Sequence, residues 1–404
     1  MKNLIILFIA VLTISSCTQV SENAQWRGDN RDGIYLETNL LKAWPEEGPE
    51  LLWEYEGIGN GYGSPVITSD KLFINGEVDS LSHLLAFDLS GQLLWEFEYD
   101  SSWVINYPGS RSTPTVVNDL VYICSPMGEI VCVNANEGTK VWSTNMLNDY
   151  NGKNTRFGFS QSLLIEGDKV IFAPGNIETN VVALNRFTGE EIWTSKAKGE
   201  KPAYCSPLLI ELATRKLLVT YSEFSFWGLD TETGELLWAL EDSIADIKGN
   251  TPLFVDGHIY CTSYGNGTVK LKLSEDGNEI TEVWRNTGIR NIQGGIVKIA
   301  DKLYGSGQQK FQLNVLDANT GELIDSLKVK RGITITADNM IYYYSEQGGF
   351  MNLIKTEPIL ELVSKFRIEK GTNEHFAHPV IKNGVLYVRH GNVLLAYNIK
   401  KEEV

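Results

Sequence analysis

Arginine, tyrosine, glutamine and histidine residues recur in this sequence just before short runs rich in β-branched residues. These side chains combine bidentate hydrogen-bond donation with ring stacking, which suits a polar ligand such as a sugar, a carboxylate or a peptide backbone. The candidate binding residues are Tyr62, Arg111, Phe159, Gln161, Tyr204, Asn250, Gln293 and His378, with Tyr107, Arg156 and His375 close to them in the chain. An alternative role for the same residues is to cap strand ends or to bind internal waters.

Signals for catalysis or for a metal are weak. His375 and His378 are three residues apart, but two imidazoles ahead of a strand do not make a metal site by themselves. The sequence contains no nucleophile elbow and no phosphate-binding loop, and no pair of carboxylates can be assigned a glycosidase-like separation. We therefore predict no catalytic residue and no metal site.

The elements that must position the candidate residues are organised as a repeat. The phrase "ALNRFTGEEIW" at 183–193 recurs in related form at 86–95, 133–142 and 228–238, and in eroded form at 315–325. Its tryptophans stand at intervals of about 42 to 51 residues, and they are Trp53, Trp95, Trp142, Trp193, Trp238 and Trp284. Leu327 and Phe366 are interpreted as their equivalents in two later copies.

A second phrase alternates with the first and consists of an apolar strand, a polar turn and another β-rich strand. Its eight copies are 64–74, 113–123, 161–172, 206–219, 251–260, 295–305, 333–343 and 378–388. Together the two phrases give four short strands per unit at a period near 45 residues. We predict an all-β fold, an eight-bladed β-propeller of four-stranded antiparallel blades, in which the N-terminal strand "LLWEYE" at 51–56 completes the last blade.

The first phrase is interpreted as structure and not as chemistry. Asn185 can accept backbone N–H bonds and start a turn, Thr188 can add a hydroxyl bond, and Gly189 supplies a positive φ. Trp193 is large and flat, and it is predicted to pack between neighbouring blades, because a single blade cannot bury both of its faces. A ligand is therefore expected at the channel mouth rather than at the ring of tryptophans.

The N-terminus, "MKNLIILFIAVLTISSC", has a lysine, an apolar run and small residues before Cys17. The run is too short to span a bilayer but fits a secretory signal. It resembles a bacterial lipoprotein signal, which implies cleavage before Cys17 and lipid on its thiol. An ordinary secretory signal with an incidental cysteine is the alternative. We predict a signal peptide over 1–16, a lipidated segment over 17–40 and the propeller over 41–404.

The net charge limits the classes of partner that the protein can bind, and the cysteine spacing limits the chemistry of its thiols. The 404-residue chain has a net charge of −16, which argues against nucleic acid and against simple attraction to anionic lipid. Cys124 and Cys132 flank a predicted turn, so a cross-strand disulfide is one interpretation. The other is that these two, with Cys205 and Cys261, are small buried apolar residues, since no spacing matches a zinc, redox or haem motif.

The repeat Ala-x-Asp-x-x-Thr-Gly-x-x-x-Trp, clearest at 183–193 and 228–238, resembles the quinoprotein-type family of pyrroloquinoline quinone (PQQ) repeats. The segments "QWRGDNRDGI" (25–34) and "YPGSRSTPTV" (107–116) further resemble secreted members of that family. The resemblance implies that the Trp-Arg-Gly segment packs on the propeller, so its Arg-Gly-Asp triplet is not interpreted as an adhesive motif. The family contains dehydrogenases and non-catalytic members such as BamB-type outer-membrane lipoproteins.

A resemblance to the dehydrogenase branch implies a quinone bound over a calcium ion, a disulfide ring formed by two adjacent cysteines, and an aspartate that acts as the base. The sequence has no adjacent cysteines and no assignable calcium ligands. We therefore expect a protein without PQQ or calcium, not an enzyme, that binds an envelope protein or a glycan. The predicted location is the bacterial cell envelope, on the outer membrane and facing the periplasm or the surface, as a monomeric propeller. A PQQ-dependent alcohol or sugar dehydrogenase and a glycan-binding module for polysaccharide use are the alternatives.

Overall fold

The computed structural model describes residues 22–242, 244, 247–307, 311–372 and 375–402. Over these residues the regular structure consists of β-strands arranged in eight sheets. The described residues form no helix of sufficient length and apolarity to cross a membrane. The predicted signal peptide at 1–16 and the predicted lipidation site Cys17 lie outside the described residues.

Each of the eight sheets contains one propeller blade of four antiparallel strands, ordered from the inner strand at the channel to the outer strand; the sheets of blades 2 and 7 also carry a short fifth strand from the N-terminal part of the chain. Blade 1 contains Val66–Ile67, Lys71–Val78, Leu81–Asp88 and Leu93–Ser101, and blade 2 contains Thr115–Val117, Leu120–Cys124, Glu129–Asn134 and Lys140–Asn145. Blade 3 contains Leu164–Glu166, Lys169–Phe172, Val181–Asn185 and Glu191–Ser195, and blade 4 contains Leu208–Glu211, Lys216–Tyr221, Ser225–Asp230 and Leu236–Glu241. Blade 5 contains Leu253–Val255, His258–Ser263, Gly267–Leu273 and Ile280–Asn286, and blade 6 contains Ile296–Ile299, Lys302–Gly307, Gln312–Asp317 and Leu323–Lys328. Blade 7 contains Gly332–Ala337, Met340–Ser345, Phe350–Lys355 and Glu361–Arg367, and blade 8 contains Val380–Lys382, Val385–His390, Val393–Asn398 and Leu51–Glu56.

The last blade is closed as the sequence predicts. Leu51–Glu56 pairs antiparallel with Val393–Asn398, so a strand from the beginning of the chain becomes the outer strand of a blade made from its end. This pairing removes two free edges, which would otherwise be open to aggregation. The prediction of an eight-bladed propeller closed by an N-terminal strand is confirmed.

The two faces of the propeller are built differently. The mouth face carries the loops that lead into the inner strands, where the candidate binding residues stand. The turn face carries the first turn of each blade and its Thr-Gly-type turn. In five of the eight blades the first turn places Asn, Asp or Gly in the left-handed region, for example Asn118 at φ 54° and Asn383 at φ 54°, which favours tight two-residue connections between strands.

The repeated tryptophans join each blade to the next. Each donates its indole N–H to a carbonyl in the Thr-Gly-type turn of the following blade, with distances from 2.8 Å for Trp142 to 3.2 Å for Trp193 and Trp284. In five of the six pairs the same ring lies against the glycine of that turn; a Cβ added at Gly138 would stand 2.7 Å from the Trp95 ring. The glycine is therefore required both by its positive φ and by the tryptophan, and the prediction of an inter-blade role is confirmed.

The turn inside "ALNRFTGEEIW" has the predicted hydrogen bonds. The Asn185 carboxamide oxygen accepts the backbone N–H groups of Phe187, at 2.9 Å, and Thr188, at 3.2 Å. The Thr188 hydroxyl accepts the N–H of Glu190 at 3.3 Å, and Gly189 has φ 76°.

The tryptophan equivalents predicted for blades 6 and 7 were wrong. Each tryptophan sits opposite the bulge in the third strand, as Trp193 does opposite Ala183. That register places Asp325 in blade 6 and Ser364 in blade 7, two residues before Leu327 and Phe366. A two-residue shift keeps an apolar side chain on the same face of a strand, so the pattern alone suggested the wrong position.

Trp44, from the chain that enters the propeller, occupies the region left by the missing tryptophan of blade 7. Its backbone N–H donates to the Ser364 hydroxyl at 2.7 Å. Its ring lies edge-on to Phe366, with centroids 5.4 Å apart, and to Tyr342, at 5.7 Å. The core between blades 7 and 8 is thus completed by a residue outside the repeats.

Residues 22–37, which we call the channel segment, lie inside the propeller rather than on its surface. Asn23–Ala24 pairs antiparallel with the inner strand of blade 2, and Ile34–Tyr35 pairs parallel with the inner strand of blade 7. Glu22 and Glu37 are held at turn-face turns, by Asn118 and Asn383 respectively. The segment therefore enters and leaves by the turn face and fills the channel in between.

Candidate functional site

The channel opens at the mouth face into a cavity of about 260 Å³, which we call the mouth cup. Six of the eleven candidate residues line it: Tyr62, Tyr107, Arg111, Tyr204, Gln293 and His378. The other lining residues are Trp26, Phe157, Ser160, Ser162, Ser206, Ile247, Gly249, Ile292, Arg331 and Phe376.

The wall of the cup is a continuous arc of five aromatic rings. From Tyr62 the arc passes to Phe376 at 5.6 Å between centroids, and from there to Tyr107 at 6.3 Å. It continues from Tyr107 to Phe157 at 5.9 Å and ends at Tyr204, 5.8 Å further on. Aromatic rings at these separations stabilise one another and present flat faces to a ligand.

The channel segment contributes Trp26 to the same cup. The Trp26 indole is half-buried and donates its N–H to the Thr251 hydroxyl at 2.9 Å. Its ring meets His378 edge-on, with centroids 4.5 Å apart. Since the segment reaches the cup from inside the channel, a residue from outside the repeats becomes part of the cup lining.

Arg111 organises its own loop. Its guanidinium donates to the carbonyls of Gly109 at 2.7 Å, Tyr107 at 2.6 Å and Asn106 at 3.2 Å. Its Cζ also lies 5.3 Å from the centre of the Tyr62 ring, a cation–π contact. Its donors thus fix the shape of one side of the cup, and its charge remains next to the aromatic arc.

His378 is held neutral with a defined tautomer. Its Nδ1 lies 2.8 Å from Nη1 of Arg27, and an arginine only donates, so Nδ1 is the acceptor. Its Nε2 lies 2.9 Å from the carbonyl oxygen of Gln293 and therefore carries the proton. Burial, and next the charge of Arg27, lower the pKa of His378 well below its usual value. His378 is thus a positioned neutral ring rather than an acid.

Buried guanidiniums support the inner surface of the channel beneath the cup. Arg31 donates to the carbonyls of Pro207 at 2.8 Å and Leu163 at 2.6 Å, and Arg389 donates to those of Asn75 at 2.5 Å and Gly59 at 2.8 Å. Burial lowers the pKa of each to about 9, so both remain charged at neutral pH. They bind together strands and loops of different blades by charge-assisted hydrogen bonds.

Five of the candidate residues do not line the cup. Arg156 is exposed at the rim, 5.2 Å from the ring of Phe157. Gln161 is buried and exchanges hydrogen bonds with the backbone of Ala173. Asn250 is buried and its carboxamide donates to the carbonyls of Thr262 and Asn291. Both amides therefore satisfy backbone groups, as the alternative interpretation of these residues allowed.

His375 also lies away from the cup, stacked on His390 with ring centroids 3.6 Å apart. His390 Nδ1 is 2.6 Å from the Tyr344 hydroxyl. Phe159, which the sequence grouped with the candidates, is buried in the core between blades.

Sequence reasoning missed Trp26, Phe157, Phe376 and Arg331. Phe157 and Phe376 are direct neighbours of Arg156 and His375 in the chain, so the right loops were identified with the wrong residues. Arg331 lines the cup while its Nε pairs with the buried carboxylate of Glu346. Trp26 gave the only earlier signal, since it stands in the Trp-Arg-Gly segment, but nothing in the sequence placed that segment inside the channel.

The donor set of the cup does not fit a calcium-bound quinone. Calcium takes oxygen ligands, mainly carboxylates, and alcohol oxidation requires a base. Among the described residues that line the cup none is Asp or Glu. No group of three or more His, Cys, Asp and Glu is close enough to hold a metal in the described part of the chain. The described cup is suited to stacking and hydrogen bonding.

The fold and the cup define an eight-bladed β-propeller with a ligand-sized cavity at its channel mouth. A family model described as outer membrane protein assembly factor BamB matches residues 34–173 and 80–326, which is more than half of the chain. The chain therefore belongs to this family of propellers with PQQ-like repeats.

Relatives include both branches of the family. The chain is 24% identical over 270 residues to the quinoprotein ethanol dehydrogenase of Pseudomonas putida, covering 56% of this chain and 42% of that enzyme. It is 23% identical over 295 residues to the BamB protein of Shewanella oneidensis, covering 69% and 67%. The matched regions span less than half the length of the dehydrogenase relatives.

Two solved structures share the fold. BamB from Moraxella catarrhalis superposes with a TM-score of 0.62 at 16% identity, covering 88% of this chain and 99% of that one. Quinohemoprotein alcohol dehydrogenase from Comamonas testosteroni superposes with a TM-score of 0.68 at 11% identity, covering 94% and 80%. At these identities the superpositions establish the architecture, which both branches have in common.

Proposed function

We propose that this chain is a non-catalytic, lipid-anchored propeller of the bacterial cell envelope that binds or scaffolds a partner through the mouth cup. The aromatic arc with Trp26 carries the proposal. Its flat faces and the hydroxyl groups of its tyrosines suit a ring-bearing polar ligand better than they suit proton transfer. The BamB relatives support a scaffold role in which the partner is an outer-membrane assembly protein.

A glycan partner is favoured by the same arc, because sugar rings stack on aromatic faces. The test is a glycan array followed by calorimetry on the purified protein. Tyr204→Ala removes one end of the arc and is expected to weaken binding of a retained glycan by about tenfold or more, the loss of one stacking contact. Tyr264→Ala is the matched control, because Tyr264 is also a half-buried tyrosine of the mouth face but does not line the cup. A blank array would leave an envelope protein as the partner.

The competing function is a quinone-dependent alcohol or sugar dehydrogenase, favoured by the dehydrogenase relatives and by the indole of Trp26 in the cup, which could stack a planar cofactor. Purified protein is supplied with PQQ and calcium, and dye reduction is followed across alcohols and sugars. We expect no cofactor-dependent reduction, because the described cup provides no carboxylate base. PQQ-dependent turnover that Trp26→Ala abolishes would refute the proposed function.

A further inference from the structure

The channel segment determines which face of the propeller is closest to residue 17. Glu22 is held between two turns of the turn face: its backbone carbonyl accepts the Asn118 N–H at 2.9 Å, and its own N–H donates to the Asn118 carboxamide at 3.1 Å. Its carboxylate accepts both the backbone N–H and the hydroxyl of Ser69. The position of Glu22 is therefore set from two neighbouring blades.

Distance then limits where Cys17 can lie. Glu22 stands five positions after Cys17 in the sequence, and five steps of fully extended chain span at most about 18 Å. The eight-residue strand Lys71–Val78 alone gives the blade a height of roughly 25 Å. Five steps of chain from Glu22 are therefore too short to reach around the outside of a blade to the mouth face.

From this geometry we propose that the turn face is the surface that lies against the membrane, and that the mouth cup points away from the lipid. The inference rests on the proposed lipid anchor at Cys17. The surface in contact is a lipid headgroup layer, and the ligand of the cup must then reach it from the aqueous side.

The character of the turn face indicates that the anchor, and not the protein surface, supplies the attachment. Exposed carboxylates occupy its Thr-Gly-type turns, and they are Glu137, Glu190, Glu232 and Glu322. Anionic headgroups repel such a surface. Its exposed apolar residues include Leu36 at 90%, Ile359 at 62% and Phe187 at 45% exposure, which stand far apart in the sequence.

Two phenylalanines give a matched pair of probe positions. Phe187 is 45% exposed in a turn of the turn face, and Phe224 is 38% exposed in a turn of the mouth face of the next blade. The cysteines at 124, 132, 205 and 261 are buried, so a maleimide fluorophore selects a cysteine introduced at the surface. Phe187→Cys and Phe224→Cys thus carry the same label on opposite faces.

The labelled, lipidated proteins are inserted into phosphatidylethanolamine–phosphatidylglycerol vesicles in which a small share of the headgroups carries a nitroxide quencher. We expect the label of the Phe187→Cys variant to be quenched several-fold more strongly than that of the Phe224→Cys variant. Equal quenching, or stronger quenching at the mouth face, would overturn the orientation while leaving the anchor intact.

The anchor itself is tested separately by adding Cys17→Ala to both labelled variants. These proteins are expected to stay in the soluble fraction and to show no quenching. If they remain on the vesicles, or if the chain with Cys17 never binds them, the anchor is refuted and the orientation with it. Binding of a glycan by the cup is measured in solution and does not depend on either result.

Discussion

Arg27 donates a hydrogen bond from Nη1 to Nδ1 of His378 at 2.8 Å, and this contact joins the channel segment to the mouth cup. The same guanidinium donates from Nη2 to the carbonyls of Ile296 and Asp32, both at 2.9 Å. Burial lowers the pKa of Arg27 to about 10, so the side chain stays charged at neutral pH. One residue of the channel segment therefore fixes the tautomer of a cup residue and satisfies buried carbonyls of the channel.

Replacing Arg27 with methionine is expected to lower the free energy of unfolding by about 3 kcal/mol or more, because buried acceptors lose their donors at an estimated cost of about 1–3 kcal/mol each. Urea unfolding followed by tryptophan fluorescence measures the change. Arg156→Met is the control, since Arg156 is exposed at the rim and its removal is expected to leave stability nearly unchanged. Similar effects of the two substitutions would contradict the role assigned to Arg27.

The inter-blade contact between Trp95 and Gly138 predicts a difference between two glycines of similar backbone conformation. Gly138 has φ 69° and Gly257 has φ 72°, so alanine is strained at both positions by about 1–2 kcal/mol. A Cβ at Gly138 would also stand 2.7 Å from the Trp95 ring, whereas a Cβ at Gly257 would meet nothing within 4 Å. Overpacking of this kind costs about 1–3 kcal/mol more.

We therefore expect Gly138→Ala to be clearly less stable than Gly257→Ala in thermal or urea unfolding. In a Trp95→Leu background the extra penalty of Gly138→Ala should shrink, because the ring that it meets is gone. An unchanged penalty in that background would show that the tryptophan contact is not the cause.

The stacked pair His375 and His390 predicts a loss of stability in mild acid. Burial lowers the pKa of His375 to about 4; burial, and next the charge of His375, lower that of His390 to about 3. In the unfolded chain both titrate near 6.5, so protons bind the unfolded state preferentially. Their contribution to stability is complete above about pH 6.5 and is lost as the pH falls from there toward the folded-state values.

The melting temperature is measured from about pH 7.5 down to about pH 5.5. This window lies above the pH at which most carboxylates take up a proton. His390→Phe keeps a ring beside His375 but cannot be protonated, so its melting temperature should change less over this window than that of the wild type. An identical pH slope in the two proteins would exclude the pair as the source.

The cysteines predict a result for thiol titration. Cys124, Cys132, Cys205 and Cys261 are free and buried, and burial raises the pKa of Cys132 and Cys261 to about 12. In the Cys17→Ala variant no thiol should react with Ellman's reagent while the protein is folded, and all four should react in denaturant without reductant. Two reactive thiols in denaturant would instead indicate a disulfide.

Much of the fold could be predicted from the sequence, because it depends on patterns of residues that are close together in the chain. Turn residues such as Asn185 and Gly189 form hydrogen bonds or adopt backbone angles that involve only their near neighbours in the chain. The spacing between successive tryptophans corresponds to the length of one blade. Eight copies of the second phrase and the unpaired strand at 51–56 then determine the number of blades and their closure. In blades 6 and 7, where the tryptophan is absent, the same pattern misplaced its equivalents by two residues.

The site was predicted only in part, since a mouth-face loop can be recognised from sequence but the direction of its side chains cannot. Arg111, Tyr204 and His378 line the cup as expected, whereas Gln161 and Asn250 turn inward to backbone groups. The side chains of neighbouring loop residues point in different directions, and contacts with residues distant in the sequence determine which of them faces the cup.

The sequence by itself thus determined the blades, their number, the closing strand and the turn-and-tryptophan contact, because each depends on residues close together in the chain or on exact repetition. The tertiary structure alone decided that residues 22–37 thread the channel and that Trp26 joins the cup. That arrangement rests on pairings between residues hundreds of positions apart, such as Ile34 with Thr336 and Arg27 with His378, for which the chain carries no local pattern.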